Sequence, residues 1–196
     1  MISILGLSLI FFPLSYETRY ERNQDQSIAA VHPQNYSGGV QTADWRVLFE
    51  YATYTSESGT AAFNIRREHR DLLLHGGYNV WKGHFTDLKD LKWNIRLGGI
   101  IGTYRESIST TLLGVTDKDT GGERWATGAT AAASLGYKFM ALELEGRPLF
   151  GQNYDPQPQM SYIIRLGFQI PIGDSADIKN KKPVVSQPQA SSKKRI

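Results

Sequence analysis

From Tyr16 to Ile172 the chain alternates apolar and polar residues with a period of two, the spacing at which successive strand side chains turn to opposite faces. The stretch from Met160 to Ile170 shows it most fully. Met160, Tyr162, Ile164, Leu166, Phe168 and Ile170 share one face, and Ser161, Ile163, Arg165, Gly167 and Gln169 share the other. The same split starts at Trp45, Leu72, Leu91, Trp125 and Met140, so six strands are predicted. In the strand from Leu72, the phase puts Trp81 with His75 and Asn79 on the polar side. Tyr16, Thr18 and Tyr20 alternate with Glu17, Arg19 and Glu21 and predict a further strand.

Two architectures share this period. A soluble sandwich or lipocalin-like barrel keeps its apolar face inside; a membrane barrel turns it to lipid around a polar interior. Three features favour the membrane. The polar face carries Arg46, Glu50, Lys92, Arg96, Lys138, Glu143, Glu145, Arg147 and Arg165, with many glycines that suit a crowded lumen. Aromatic residues gather near strand ends: Trp45, Tyr78, Trp93, Trp125, Tyr137, Phe139, Tyr162 and Phe168. The stretch from Leu72 to Val80 is long enough to cross a bilayer when tilted, which takes about 9–11 residues.

The expected fold is therefore all-β, a closed antiparallel up-and-down transmembrane β-barrel of eight strands over residues 16–172. Closure asks for an eighth strand, placed at 26–31 after an Asn-Gln-Asp-Gln turn at 23–26. Short connections at 82–90 and 138–139 alternate with polar ones near 55–60, 109–124 and 150–159. Long loops face outside and short turns face the periplasm in such barrels.

Composition sharpens this picture at the ends of the chain. The 196 residues are enough for one domain, and no apolar run is long enough for a helical span. There is no cysteine, which excludes a disulfide scaffold, a thiol nucleophile and a cysteine metal site. Residues 1–15 are uncharged and hold an apolar run from Ile2 to Leu14, read as a secretory leader, although no Lys or Arg precedes the run. Residues 173–196 hold six Lys/Arg, two Asp and two Pro and are expected to be a disordered tail in the periplasm. The tail carries about +4 of a total of +3, so the rest is near −1 and offers nucleic acid no basic folded face.

The runs Asn94-IRLGGIIGTY, Ala129-TAAASLGYKF, Leu142-ELEGRPLF and Tyr162-IIRLGFQI resemble small outer-membrane β-barrel proteins of the OmpA/OmpX type. The resemblance covers roughly residues 43–172. It implies the outer membrane of a Gram-negative bacterium, contact with its lipid and insertion by the barrel-assembly machinery. The last strand of such proteins usually ends the chain on an aromatic residue; here Phe168 and Ile170 are followed by the tail.

No compact Ser/His/acid grouping points to catalysis, and no cofactor motif occurs. Glu143 and Glu145 face the same way about 6.6 Å apart, a spacing compatible with acid–base work. The cations predicted on the same face favour an ion network that plugs the lumen. His69 and His75 share a face but lie about 20 Å apart, too far to share a metal. Asp117, Asp119 and Gly122 imitate the start of a calcium loop, but its twelfth position is Gly128, so a polar hairpin is expected. Arg66, Glu68 and Arg70 project outward in phase with Leu72, with Glu68 expected opposite Arg105. Arg66 and Arg70 are candidates for lipopolysaccharide phosphate contacts.

The function read from the sequence is a non-enzymatic structural or surface-interaction barrel. A small channel or transporter and a soluble lipocalin-like binding barrel are the alternatives.

Overall fold

The computed structural model describes residues 6–22, 27–60, 62–86, 88, 90–152, 154 and 156–172. The tail and the expected turn at 23–26 fall outside them. Ten strands run in chain order: β1 (Ser8–Arg22), β2 (Ile28–Val31), β3 (Gln34–Gln41), β4 (Trp45–Gly59), β5 (Phe63–His84), β6 (Leu91–Leu112), β7 (Val115–Thr120), β8 (Arg124–Tyr137), β9 (Met140–Gly151) and β10 (Gln159–Pro171). Each pairs antiparallel with its neighbours, and β1 pairs with β10 from Ser8↔Pro171 to Arg19↔Ser161. β2 and β3 share one place in the wall, and β7 pairs with β6 outside it, so the ring has eight strands.

The direction of burial separates the two architectures. Along β10, Gln159, Ser161, Ile163, Arg165 and Gly167 are buried, whereas Tyr162 and Ile164 are 52% and 50% exposed. Phe49, Leu72, Leu97, Trp125, Leu144 and Leu166 point outward in the same way. Soluble monomers rarely expose a contiguous apolar surface beyond a few hundred Å². Inside the ring, Ile10, Phe12, Leu48 and Ala141 pack near the start of β1, and Leu73, Ile100, Tyr104, Ala126, Leu149 and Tyr154 pack towards the other end.

The structure departs from the sequence pattern in three places. Residues 8–15, expected within a leader, form the first half of β1, with Ile10 and Phe12 buried and Phe11 and Leu14 exposed. The second wall position is mainly Gln34–Gln41, not 26–31; β2 is a four-residue extension of it. Val80 is an extra residue between Asn79↔Arg96 and Trp81↔Ile95. A β-bulge of this kind reverses the phase, and Trp81 accordingly lies outside, 62% exposed.

Turn chemistry fixes the connections. Lys138 adopts a φ of 54° in the two-residue β8–β9 turn, and the expected polar hairpin over 115–123 forms as β7 folded back on β6.

Candidate functional site: the charged lumen

Alternation on six strands turns ionisable side chains into the ring. β1 supplies Glu17 and Arg19, β4 Arg46 and Glu50, and β5 Asp71 and His75. β6 supplies Arg96, β9 Glu143, Glu145 and Arg147, and β10 Arg165. Among the described residues, five buried arginines therefore face five buried carboxylates.

Arg165 and Arg147 are the hubs, both fully buried. Arg165 Nη1 donates to Glu143 Oε1 at 3.0 Å and Glu145 Oε2 at 2.7 Å, and its Nη2 donates to Glu50 Oε2 at 2.5 Å. Arg147 Nη2 donates to Glu17 Oε1 at 2.8 Å, and its Nη1 lies 2.6 Å from Glu50 Oε1. Glu17 also accepts from Arg19 Nη2 at 2.9 Å, Ser161 Oγ at 2.6 Å and Asn35 Nδ2 at 3.0 Å. Arg19 Nη1 reaches Asp71 Oδ2 at 2.5 Å, and Arg46 and Arg96 both donate to Glu143 Oε2. His75 Nε2 lies 3.1 Å from Glu50 Oε2. The Arg46 and Arg165 guanidinium carbons sit 5.5 and 5.9 Å from the Phe12 ring centre, joining the network to the apolar layer beside it.

Removing one partner from a buried pair leaves a charge uncompensated, whereas the complete set is mutually neutralised. Glu143 and Glu145 are both engaged by Arg165, so the arrangement offers cross-links between strands and no free acid–base pair.

Seven residues read from the sequence as lumenal therefore meet here: Arg46, Glu50, Arg96, Glu143, Glu145, Arg147 and Arg165. Lys92 and Lys138 do not. Both line an open cavity of about 1030 Å³ at the end where β6 begins and β8 ends, and Lys138 Nζ sits 5.3 Å from the Tyr137 ring centre. Position explains this: Lys92 is the second residue of its strand and Lys138 belongs to a turn. Sequence reasoning missed Glu17, Arg19, Asp71 and His75 as network members. The alternation of the first strand carried the signal for Glu17 and Arg19, and Asp71 lies one residue before the predicted start of its strand.

Nearer the other mouth, His69 stacks on Tyr54 at 4.5 Å, with Nε2 3.5 Å from Glu106 Oε1 and 3.9 Å from Glu21 Oε1. Tyr104 stacks on Tyr154 at 4.7 Å, and burial pushes the Tyr154 phenol up from its ordinary value. Among the described residues, no three His, Asp or Glu side chains are arranged to hold a metal.

Outside the wall, Arg66, Glu68 and Arg70 face away from the lumen, just beyond the apolar outward run of β5. Arg66 Nε is 3.2 Å from Glu68 Oε1, and its Nη1 is 3.5 Å from Glu57 Oε1. Arg105 stands opposite Arg70, and Ser107 stands opposite Glu68. The expected Glu68–Arg105 pairing is thus displaced. β5 runs on to His84 before turning, which moves the register, and the extra Val80 returns one residue of that shift. A cleft of about 180 Å³ lies here, lined by Glu68, Arg70, Arg105, Ser107, Lys118 and Thr120.

No protein-family model matches the chain, and no curated protein matches it in sequence. Solved structures do share its fold. Neisserial surface protein A aligns with a TM-score of 0.57 at 12% identity, over 85% of this chain and 97% of that one. Ail, the attachment invasion locus protein of Yersinia pestis, aligns with a TM-score of 0.53 at 10% identity, over 84% and 97%. Ail in complex with the heparin analogue sucrose octasulfate aligns with a TM-score of 0.50 at 10% identity, over the same shares. The chain has the fold of the small outer-membrane β-barrels of the OmpA/OmpX type.

Proposed function

We propose, from a fold shared with small outer-membrane barrels, that this protein is a non-enzymatic barrel of a Gram-negative outer membrane. Its lumen is plugged by the ion network, and it acts as a structural or surface-interaction protein. The observation that carries the reading is the set of buried arginines and carboxylates that joins six strands across the lumen. Fixed charges bridged at hydrogen-bond distance across the lumen support a plug over the continuous water path that a channel or transporter needs. The exposed apolar band anchors the ring in lipid, and the barrel-assembly machinery inserts it. The short turns and residues 173–196 face the periplasm, and the β1–β2, β4–β5, β6–β7 and β9–β10 connections face outside, where partner contacts concentrate.

In planar bilayers the folded protein is expected to give no single-channel steps, while running faster on a gel unheated than boiled. Steady conductance with the same gel shift would replace the plug by a pore. Solubility in plain buffer with no shift would overturn the membrane reading.

Arg70 and Arg105 support a lipopolysaccharide contact. Like charges directly opposite on a sheet repel, and Lys118 lines the same cleft. An anionic phosphate relieves that repulsion, and guanidinium groups bind it bidentately. Arg66, the other sequence candidate, is already engaged by Glu57 and Glu68. The double variant Arg70→Gln/Arg105→Gln is expected to co-purify several-fold less lipopolysaccharide than Arg66→Gln. Equal amounts from the two would sink the assignment.

A further inference from the structure

The inward column of β6 runs Lys92, Asn94, Arg96 from the start of the strand. Arg96 belongs to the buried network, where it and Arg46 both donate to the single oxygen Glu143 Oε2. Arg165 takes the other oxygen of Glu143. Two guanidinium groups thus share one carboxylate oxygen just inside the open cavity of about 1030 Å³. Gln41 on the cavity wall touches this layer directly, since its Oε1 accepts from Arg46 Nε at 2.7 Å.

The cavity wall holds donors with no acceptor. Asn94 Oδ1 accepts from Ser134 Oγ at 2.7 Å, as Gln41 Oε1 does from Arg46, so each amide keeps its nitrogen as a spare donor. Both residues are half-buried on the cavity wall, and neither nitrogen is sealed within the protein. Lys92 and Lys138 line the same cavity and are exposed. Lys82, also on the wall, is bonded to Asp44, but among the described residues Lys92 and Lys138 have no carboxylate at ion-pair distance. Among the described residues, Asp90 is the one carboxylate on the wall. Gln41 on β3 stands across the mouth from Lys92 and Asn94 on β6, with β4 and β5 between them. A cleft dominated by one sign of charge concentrates ions of the other.

We propose that this cavity is a binding site for a multivalent carboxylate. The sign follows from the unpaired ammonium groups set above shared guanidinium groups. The valence follows from the spacing. A single phosphate is best held by a guanidinium fork, through two parallel bonds from one side chain, and the guanidinium groups here are turned to Glu143. The open donors are separate points on β3, β6 and the β8–β9 turn, and an ammonium is a compact charge without fork geometry. Several carboxylates on one skeleton reach donors on both sides of the mouth, which a single small anion does not. The volume matches that of ligand cavities, roughly 300–1,000 Å³. A polycarboxylate solute and an acidic peptide share this chemistry. The site rests on the geometry of the ring, and only its supply from the periplasm rests on the orientation proposed above.

The test uses the full chain in phosphatidylcholine nanodiscs, which leave both mouths open to solution. Titration calorimetry compares citrate, a tetraglutamate peptide, acetate and inorganic phosphate. Citrate or the peptide is expected to bind many-fold more tightly than acetate or phosphate, and less tightly as salt screens the charges. A several-fold advantage for the peptide assigns the site to an acidic chain, and parity or an advantage for citrate assigns it to a solute. Lys92→Gln/Lys138→Gln changes exposed positions outside the buried network, so it is expected to keep the gel shift and weaken binding many-fold. Asp90→Asn is expected to tighten it. Arg70→Gln/Arg105→Gln, in the outer cleft, is expected to leave it unchanged. Phosphate binding as tight as that of both carboxylates, no binding of either, or binding undiminished in the double lysine variant overturns the proposal.

Discussion

Replacing Arg147 by Met is expected to lower the folding free energy by about 3–5 kcal/mol, the usual consequence of breaking a buried ion pair. Arg147 is fully buried and holds Glu17 and Glu50 on two other strands. Methionine fills part of the volume but leaves both carboxylates facing one another without that cation. The measurement is urea unfolding of the protein in lipid or mild detergent, followed by tryptophan fluorescence and by the unheated gel band. Adding Glu17→Gln to Arg147→Met should recover part of the loss, because one uncompensated charge goes with it. An unchanged midpoint in the single variant would mean that the network contributes nothing to holding the strands together.

The second large effect is steric. Gly167→Val is expected to abolish most of the compact unheated band. A Cβ at Gly167 would stand 2.0 Å from the Phe11 carbonyl oxygen and 2.7 Å from Phe12 Cδ1, inside the irregular stretch where β1 meets β10. Backbone occupies that space, so the strands must part rather than adjust. Gly76→Val is the control. Gly76 faces outward, and a Cβ added there would meet nothing within 4 Å, so its unheated band should persist. Persistence of the band in Gly167→Val would show that the two strands tolerate separation at the bulge.

Period-two alternation made the wall legible because a membrane barrel exposes one face of every strand to a single solvent. Met160–Ile170 and Leu91–Ile101 carry that signal without interruption. It failed where local geometry breaks the period. Val80 reverses the phase, so Trp81 turns from the predicted inward side to the outside. Gln34–Gln41 holds two glycines and several polar residues among its eight, and so lacks the apolar contrast that marks a strand. The leader expected over 1–15 and the first half of β1 look alike at this level, since either is a short uncharged apolar run.

In the lumen, the face was legible but not the depth. Alternation places Lys92 in phase with Arg96, yet only Arg96 reaches the carboxylates; Lys92 stops at the open mouth. Asp71 escaped because the apolar contrast of its strand begins only at Leu72, and Glu17 because the short alternation around it carries a weaker signal than β9 and β10. Which arginine meets which carboxylate depends on closing the ring, a relation between residues as distant as Glu17 and Arg147 that no local window contains.

Ser8 and Pro171 stand opposite each other in the sheet, and the Ile172 N–H donates to the Leu7 carbonyl oxygen at 2.8 Å. The first strand therefore waits for nearly the whole chain before it finds its last neighbour. Loop-closure entropy rises only logarithmically with length, so the delay costs the finished barrel little. During that delay, however, β1 and β10 both present sticky sheet edges, ready to pair with any other extended chain. The hazard in such a fold is the open sheet that precedes the ring, whose two edges must both be kept from other chains until they meet.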